Sequence, residues 1–182
     1  MKPFFVDAQP VIWLAGTYGP RAGKVLAGIA RAAFRAGAAI IDSGIGSGIE
    51  KFCLRKDVPL VGVAPENEIA YPKINPTERK ENELTNGHTH FLLTGDEHTK
   101  FNWGDEAKLK TELALRIAQG RSKYEKAPTC KIIMIVIGAN PACTKDIEEA
   151  KANCWPVIFL GGSLMCEDVI KSKGGFPPEE DK

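Results

Sequence analysis

The sequence predicts a single α/β domain built on a doubly wound parallel sheet with helices on both faces. Short apolar runs of β type alternate along the chain with segments of helical spacing, and four of these runs end in glycine-rich turns. This alternation is typical of βαβ units, whose strands are parallel. The length of 182 residues suits one core. We expect the domain to occupy residues 1–173, followed by a flexible tail at 174–182.

The first half of the chain predicts three strands and two helices. The strands are expected at 11–16, 38–42 and 58–64, and the helices at 21–36 and 48–55. Gly37 is a natural stop for the first helix, and the continuously apolar run 58–64 indicates a strand covered on both faces. The polar stretch 65–87 contains two prolines and predicts a long loop over the sheet edge.

The second half repeats the alternation. Strands are expected at 89–94, 131–137 and 155–161, and helices at 105–119, 144–153 and 165–171. In the helix 105–119, apolar residues recur at helical spacing and define an inward face. No internal repeat and no low-complexity segment interrupts this pattern, so one domain is predicted.

The glycine-rich turns predict the ligand site. In a parallel sheet all strand-to-helix turns open onto the same edge, where backbone N–H groups and helix N-termini favour phosphate and ribose. Taken alone, each turn is explained at least as well by a tight connection, and its polar side chains by helix capping. The candidate ligand-binding residues in and beside these turns are Gly16, Thr17, Tyr18, Ser43, Gly44, Gly46, Ser47, Gly48, Gly138, Asn140, Thr144, Gly161 and Ser163.

Two common phosphate motifs are excluded. The segment 16–24 resembles a P-loop, but Tyr18 stands where that motif needs glycine and Val25 stands where it needs Ser or Thr for magnesium. The segment 43–50 resembles a dinucleotide fingerprint, but Ile49 replaces the third glycine and the turn follows the second predicted strand. ATP hydrolysis of the P-loop type and conventional NAD-dependent hydride transfer are therefore disfavoured.

Composition bounds the partners. A formal net charge of +1 gives no global field, so we expect neither nucleic acid nor a membrane surface as a partner, but a small-molecule nucleotide. No apolar run approaches the roughly 18 residues that span a bilayer. Five cysteines without CxxC spacing indicate reduced thiols in a cytoplasmic protein. Self-association into a homo-oligomer is also expected.

The histidine pair and the nearby acids are candidate functional groups. His88 and His90 share one face of a strand, but no further ligand is spaced to complete a zinc set, so no metal and no certain cofactor is predicted. One histidine of the pair is expected to orient a loop or to bond a ligand. The acids after Trp103 are expected to cap a helix, with ribose hydroxyls as an alternative contact. Lys108 and Lys110 are expected on a solvated face.

Five ordered segments resemble the SLOG domain family, in the branch shared by prokaryotic proteins and the cytosolic N-terminal region of melastatin-type transient receptor potential channels. They are VIWLAGTYG with IARAAFRAGAAIIDSGIGSGIEKF, VPLVGVAPE, NGHTHFLLTGDEHTKFNWGDEAKLKTEL, KIIMIVIGANPACTKDIEEAKANCWPVIFLGGS and CEDVI. The resemblance covers about residues 10 to 171. It implies a Rossmann-like domain that senses ADP-ribose or another NAD-derived nucleotide.

The resemblance also assigns residues. It places the family's first glycine turn on Gly16 and Thr17, its second turn on the segment 43–48, its histidine on His90, and its Gly-Gly-x-Gly-Thr turn on the segment 138–144. In this last turn Ala139 and Ala142 replace glycines.

The wider superfamily includes phosphoribohydrolases that cleave nucleoside monophosphates, and this activity is the alternative function. If the chain is such a hydrolase, Asp146 is the candidate catalytic acid. The altered turn argues against catalysis, because a nucleotide held there would be displaced from that acid. We therefore expect binding without release of free base.

Overall fold

The computed structural model describes residues 7–16, 22–70, 82–95, 99–120 and 130–160. Within these ranges the chain forms six strands, four helices and a 3-10 turn at Glu66–Glu68. The strands are β1 (Val11–Gly16), β2 (Ala39–Asp42), β3 (Leu60–Pro65), β4 (His90–Thr94), β5 (Ile132–Ile137) and β6 (Val157–Leu160). The helices are α1 (Gly23–Ala36), α2 (Glu50–Leu54), α3 (Ala107–Gln119) and α4 (Cys143–Ala152). The helix expected at 165–171 and the tail expected at 174–182 lie outside the described residues.

The six strands form one sheet in the order β4-β3-β2-β1-β5-β6, and each neighbouring pair is parallel. The predicted parallel sheet is thereby confirmed. Strand β1 lies in the middle of the sheet, and the chain proceeds outward from it through β2 and β3 to β4. It then crosses back and places β5 on the other side of β1, with β6 at that edge. The strand order therefore reverses between β1 and β5, which is where open α/β sheets bind their ligands.

Both faces of the sheet are covered, as predicted. On one face, Leu26 and Ala33 of α1 and Cys53 of α2 pack against alternate residues of β1, β2 and β5. On the other face, Ile117 of α3 and Ile147 of α4 pack against the intervening residues of the same strands. This alternation within single strands explains why they are apolar throughout, since each strand is buried on two sides.

The helix boundaries follow local chemistry. Gly37 ends α1 in a left-handed conformation with φ of 61°, and its N–H bonds the carbonyls of Ala33 and Phe34. Helix α3 begins at Ala107, two residues later than predicted, because residues 103–106 form a separate turn. Within the described part of the chain, no helix is both long and apolar enough to cross a membrane.

Candidate functional site

A cavity of about 340 Å³ opens at the carboxyl ends of the central strands. It lies at the reversal of strand order, between the segments that follow β1, β2 and β5, with the segment before α3 on its remaining side. Glycine and serine residues line it on the β2 side, and Trp103, Glu106, Lys110 and Asp146 line it on the α3 and α4 side. The cavity is thus bounded by small polar groups on one side and by charged groups on the other.

Some of the predicted ligand residues line this cavity and some do not. Those that line it are Gly16, Ser43, Gly46, Ser47 and Asn140. Five others are described by the structure but are not among the lining residues: Gly44, Gly48, His90, Gly138 and Thr144. Thr17, Tyr18, Gly161 and Ser163 lie outside the described residues. The assignment of all these residues to ligand binding stays a prediction.

A buried carboxylate fixes the turn at 43–48, which follows β2. One oxygen of Asp42 accepts the backbone N–H of Gly44 at 2.8 Å, and the other accepts the hydroxyl of Ser47 at 3.1 Å. Gly44 has a φ of +76°, and a Cβ at this position would lie 3.2 Å from the Cα of Gly62 and 3.3 Å from the ring of Phe91. Only glycine fits this position without displacing its neighbours.

His88 lies beneath the same turn, beside Asp42. Its side chain is fully buried, with Nε2 2.9 Å from Oδ1 of Asp42 and Nδ1 3.1 Å from the carbonyl of Thr85. Burial favours a lower pKa for His88, but the hydrogen bond and charge of Asp42 and the bond to Thr85 outweigh it, so the pKa lies above 6.5. Ser47 donates to the carboxylates of Asp42 and Glu50, and His88 bonds Asp42, so the order of residues differs from that of a Ser-His-Asp triad.

His90 occupies a different position. It begins β4, and its Nδ1 lies 3.1 Å from the hydroxyl of Thr89. The histidine that reaches the glycine turn is therefore His88. The sequence placed both residues on one strand face and could not separate them, because the partner of His88 is 46 positions away in the chain.

The opposite side of the cavity contains a buried ionic cluster. Nζ of Lys110 lies 3.0 Å from Glu106 and 3.1 Å from Asp146, and all three side chains are almost inaccessible to solvent. Lys110 is therefore not on a solvated face, and that prediction was wrong. Helix α3 packs against α4, so the side of α3 that carries Lys110 meets the first turn of α4 rather than water.

The charges of this cluster do not balance, because two carboxylates face one ammonium group. Burial raises the pKa of Asp146 to about 6, and Lys110 offsets only part of that effect. Burial opposes the charge of Lys110, but Asp146 and Glu106 outweigh it and raise the pKa of the ammonium group. Asp146 is thus the group of the cluster that exchanges a proton near neutral pH.

The acids after Trp103 accept backbone hydrogen bonds within the turn that precedes α3. Neither caps that helix, since α3 has no side-chain cap and no acid in its first turn, so the capping prediction was wrong. Glu106 accepts the N–H of Gly104 at 2.7 Å, and Asp105 accepts the N–H of Asn102 at 2.8 Å. Asp105 also forms a surface ion pair with Lys145 of α4. These contacts attach the segment that carries Trp103 to the first turn of α4, with the indole side chain at the cavity.

The start of α4 completes the cavity wall. Oδ1 of Asn140 accepts the N–H of Cys143 at 3.0 Å and lies 3.1 Å from its sulfur atom, so Asn140 caps the helix from outside its first turn. Among the described residues, no group of three or more His, Cys, Asp and Glu side chains could hold a metal ion.

The family described as "SLOG in TRPM, prokaryote" matches residues 9–180, nearly the whole chain. No curated protein matches the chain significantly in sequence. Of the solved structures, 73 chains match. One is DNA processing protein A from Helicobacter pylori, at 15% identity and a TM-score of 0.53, with 93% of this chain and 75% of that chain covered.

The last comparison corrects one prediction. The Helicobacter protein shares the fold and is described by its single-stranded DNA binding mode. The expectation that nucleic acid is not a partner was therefore wrong: it rested on a net charge of +1, and net charge alone does not exclude local contacts to a nucleic acid strand.

Proposed function

The chain belongs to the family described as "SLOG in TRPM, prokaryote", and we propose on that premise that it binds an ADP-ribose-like or other NAD-derived nucleotide in the cavity. The observation that carries the proposal is the coincidence of the cavity with the reversal of strand order between β1 and β5. Ligands of open α/β sheets bind at that point, outside the carboxyl ends of the strands. The volume of about 340 Å³ is within the range of small-molecule sites.

The chemistry of the lining orients the ligand. On the β2 side, Ser43, Gly46 and Ser47 offer hydroxyl groups and a backbone that a phosphate can approach closely. On the opposite side, Glu106 and Asp146 repel phosphate but accept hydrogen bonds from ribose hydroxyls. Trp103 supplies an aromatic surface for a base. The phosphates are therefore assigned to the glycine turn, and the sugar to the ionic cluster.

A second candidate function is hydrolysis of a nucleoside monophosphate, and the position of Asp146 favours it. A carboxyl group at the cavity wall with a pKa of about 6 is suited to general acid catalysis near neutral pH. Binding is preferred because Asp146 already accepts hydrogen bonds from Lys110, so it is arranged as an acceptor for ribose hydroxyls rather than as a proton donor to a leaving base.

A thermal-shift panel with product analysis tests both candidates. The panel contains ADP-ribose, cyclic ADP-ribose, NAD, AMP, a cytokinin monophosphate and a single-stranded DNA oligonucleotide. Stabilisation by ADP-ribose without release of base supports the proposal. Multiple turnover that disappears in Asp146→Asn would establish the hydrolase instead. Stabilisation by the oligonucleotide alone would replace both candidates with a nucleic-acid function.

A further inference from the structure

We propose that His88, as a doubly protonated imidazolium, is the positioning residue that holds the turn at 43–48 in its ligand-binding shape. This inference deepens the proposed function, on which its ligand-binding consequence rests. It assigns His88 a role through Asp42 and Gly44, without contact to the ligand.

Hydrogen-bond geometry favours the doubly protonated form of His88. Nδ1 lies 3.1 Å from the carbonyl of Thr85, which can only accept, and Nε2 lies 2.9 Å from the carboxylate of Asp42, which also accepts when ionised. A neutral imidazole carries a single N–H and can satisfy one of these partners. The imidazolium satisfies both. The hydroxyl of Thr85 also lies 3.4 Å from Nδ1 and can donate to a neutral ring, but this contact is longer and the same hydroxyl bonds the carbonyl of Gly44, so the contacts favour the charged form.

The two partners of His88 are also the two partners of Gly44. Asp42 accepts the N–H of Gly44 at 2.8 Å. The backbone N–H and the hydroxyl of Thr85 donate to the carbonyl of Gly44 at 3.1 and 3.3 Å. His88 thus joins the group that holds the amide side of Gly44 to the group that holds its carbonyl side. We call this arrangement of Asp42, His88 and Thr85 around Gly44 the clamp. Loss of either hydrogen bond of His88 weakens the hold on one side of Gly44.

The clamp bears on the cavity directly. Ser43, Gly46 and Ser47 flank Gly44 and line the cavity, and Asp42 accepts the hydroxyl of Ser47. A change in the position of Asp42 therefore moves the groups that face the proposed phosphate site.

The surroundings of His88 favour its charge. Asp42 on β2 and Glu50 on α2 are the charged groups that act on it, and both raise its pKa against the opposing effect of burial. The ring of Phe91 on β4 packs against the imidazole at 4.9 Å between centroids. Since the pKa lies above 6.5, the clamp is complete in mildly acidic solution and opens as the pH rises through that pKa.

Nuclear magnetic resonance of the protein without ligand tests the positioning role. Long-range proton–nitrogen spectra at pH 6.0 are expected to show hydrogen on both ring nitrogens of His88. As the pH rises to 9.0, the ring is expected to lose one proton and the amide of Gly44 to lose protection from exchange. The inference is overturned by a single ring proton at pH 6.0, or by an exchange rate of the Gly44 amide that does not respond to the titration of His88.

Affinity measurements test the consequence for ligand binding. Calorimetry is expected to show ADP-ribose affinity falling about tenfold between pH 6.0 and 9.0, the effect of losing one charge-assisted hydrogen bond. In His88→Gln the fall in affinity should become clearly smaller, and only the contribution of Asp146, whose pKa is about 6, should remain. Lys51→Gln is the control, because it removes one positive charge from the neighbouring helix α2 at an exposed position and should keep the wild-type profile. A wild-type profile in His88→Gln overturns the inference. Absence of ADP-ribose binding at every pH contradicts the proposed function instead, and the nuclear magnetic resonance experiment then tests the role of His88 independently.

Discussion

Nζ of Lys110 lies 3.1 Å from a carboxylate oxygen of Asp146, and this contact joins helix α3 to the first turn of helix α4 at the wall of the cavity. Glu106 shares the same ammonium group from one helical turn earlier in the chain. A buried cluster with two carboxylates and one ammonium group retains an excess negative charge unless one carboxyl group takes a proton. Stability and ligand preference at this wall therefore depend on pH.

Removal of the ammonium group of Lys110 should strongly destabilise the folded protein. In Lys110→Met the two buried carboxylates lose their counter-charge, and we expect the free energy of unfolding at pH 7.5 to fall by about 3–5 kcal/mol. The loss should be smaller at pH 5.5, where protons can replace the lysine. Lys108→Met is the control, because Lys108 is exposed on the same helix and its removal should be nearly neutral. Urea unfolding at both pH values measures the difference; equal, small effects of the two variants would contradict the account.

Replacement of Asp146 by a neutral residue should not lower the free energy of unfolding at alkaline pH. The folded-state pKa of Asp146, about 6, exceeds its ordinary value of 3.8, so the folded protein holds a proton that the unfolded chain releases. Wild-type stability therefore contains a component that is lost as the pH rises from about 4 to about 6. In Asp146→Asn that component should be absent, and at pH 8 the variant should be at least as stable as the wild type. Unfolding across this pH range checks the expectation, and an Asp146→Asn variant that is much less stable than the wild type at pH 8 would refute it.

Trp103 should report on occupancy of the cavity. Trp13 and Trp155 contact each other edge to face, with ring centroids 6.2 Å apart, in the core beneath α4. Neither is among the residues that line the cavity, whereas Trp103 is. ADP-ribose should quench tryptophan emission in the wild type, and most of the quenching should disappear in Trp103→Phe. Trp155→Phe is the matched control and should retain it. Equal quenching in both variants would mean that the ligand does not stack near Trp103.

A stabilising substitution tests the description of α1. Gly28 lies in the interior of that helix, and a Cβ built there has no neighbouring atom within 4 Å. Gly28→Ala should raise the free energy of unfolding by about 1 kcal/mol, because alanine restricts the unfolded chain and favours the helix. Thermal unfolding measures the gain. Gly16→Ala is the contrasting variant, since its Cβ would lie 2.0 Å from the carbonyl oxygen of Ile137, and it should be strongly destabilised.

Much of the fold could be predicted from the sequence because its signals are local. Continuous apolar runs such as the one from Ile132 to Ile137 require burial on both faces, which in this size of protein means a parallel sheet covered by helices. Gly37 marks the end of α1 because glycine readily adopts the left-handed conformation that ends a helix. The strand order is less local, yet the alternation of strands and helices restricts it to few alternatives.

The chemistry of the site was harder to predict because its contacts join distant segments. The i, i+4 spacing of Glu106 and Lys110 was visible, but surface helices show the same spacing, and only packing of α3 on α4 buries Lys110 beside Asp146. His88 and His90 are equivalent by alternation, and Asp42 distinguishes them only in three dimensions. These contacts could be predicted only with knowledge of which segments meet in the folded chain.

A structure of the chain crystallised with ADP-ribose tests the central claim most directly. The account predicts electron density in the cavity between β1 and β5, with the phosphates against Ser43–Ser47, the ribose hydroxyls toward Glu106 and Asp146, and the base near Trp103. Density for an intact nucleotide in that orientation would establish the binding function. An empty cavity at saturating ligand, or a nucleotide bound at another surface, would contradict it.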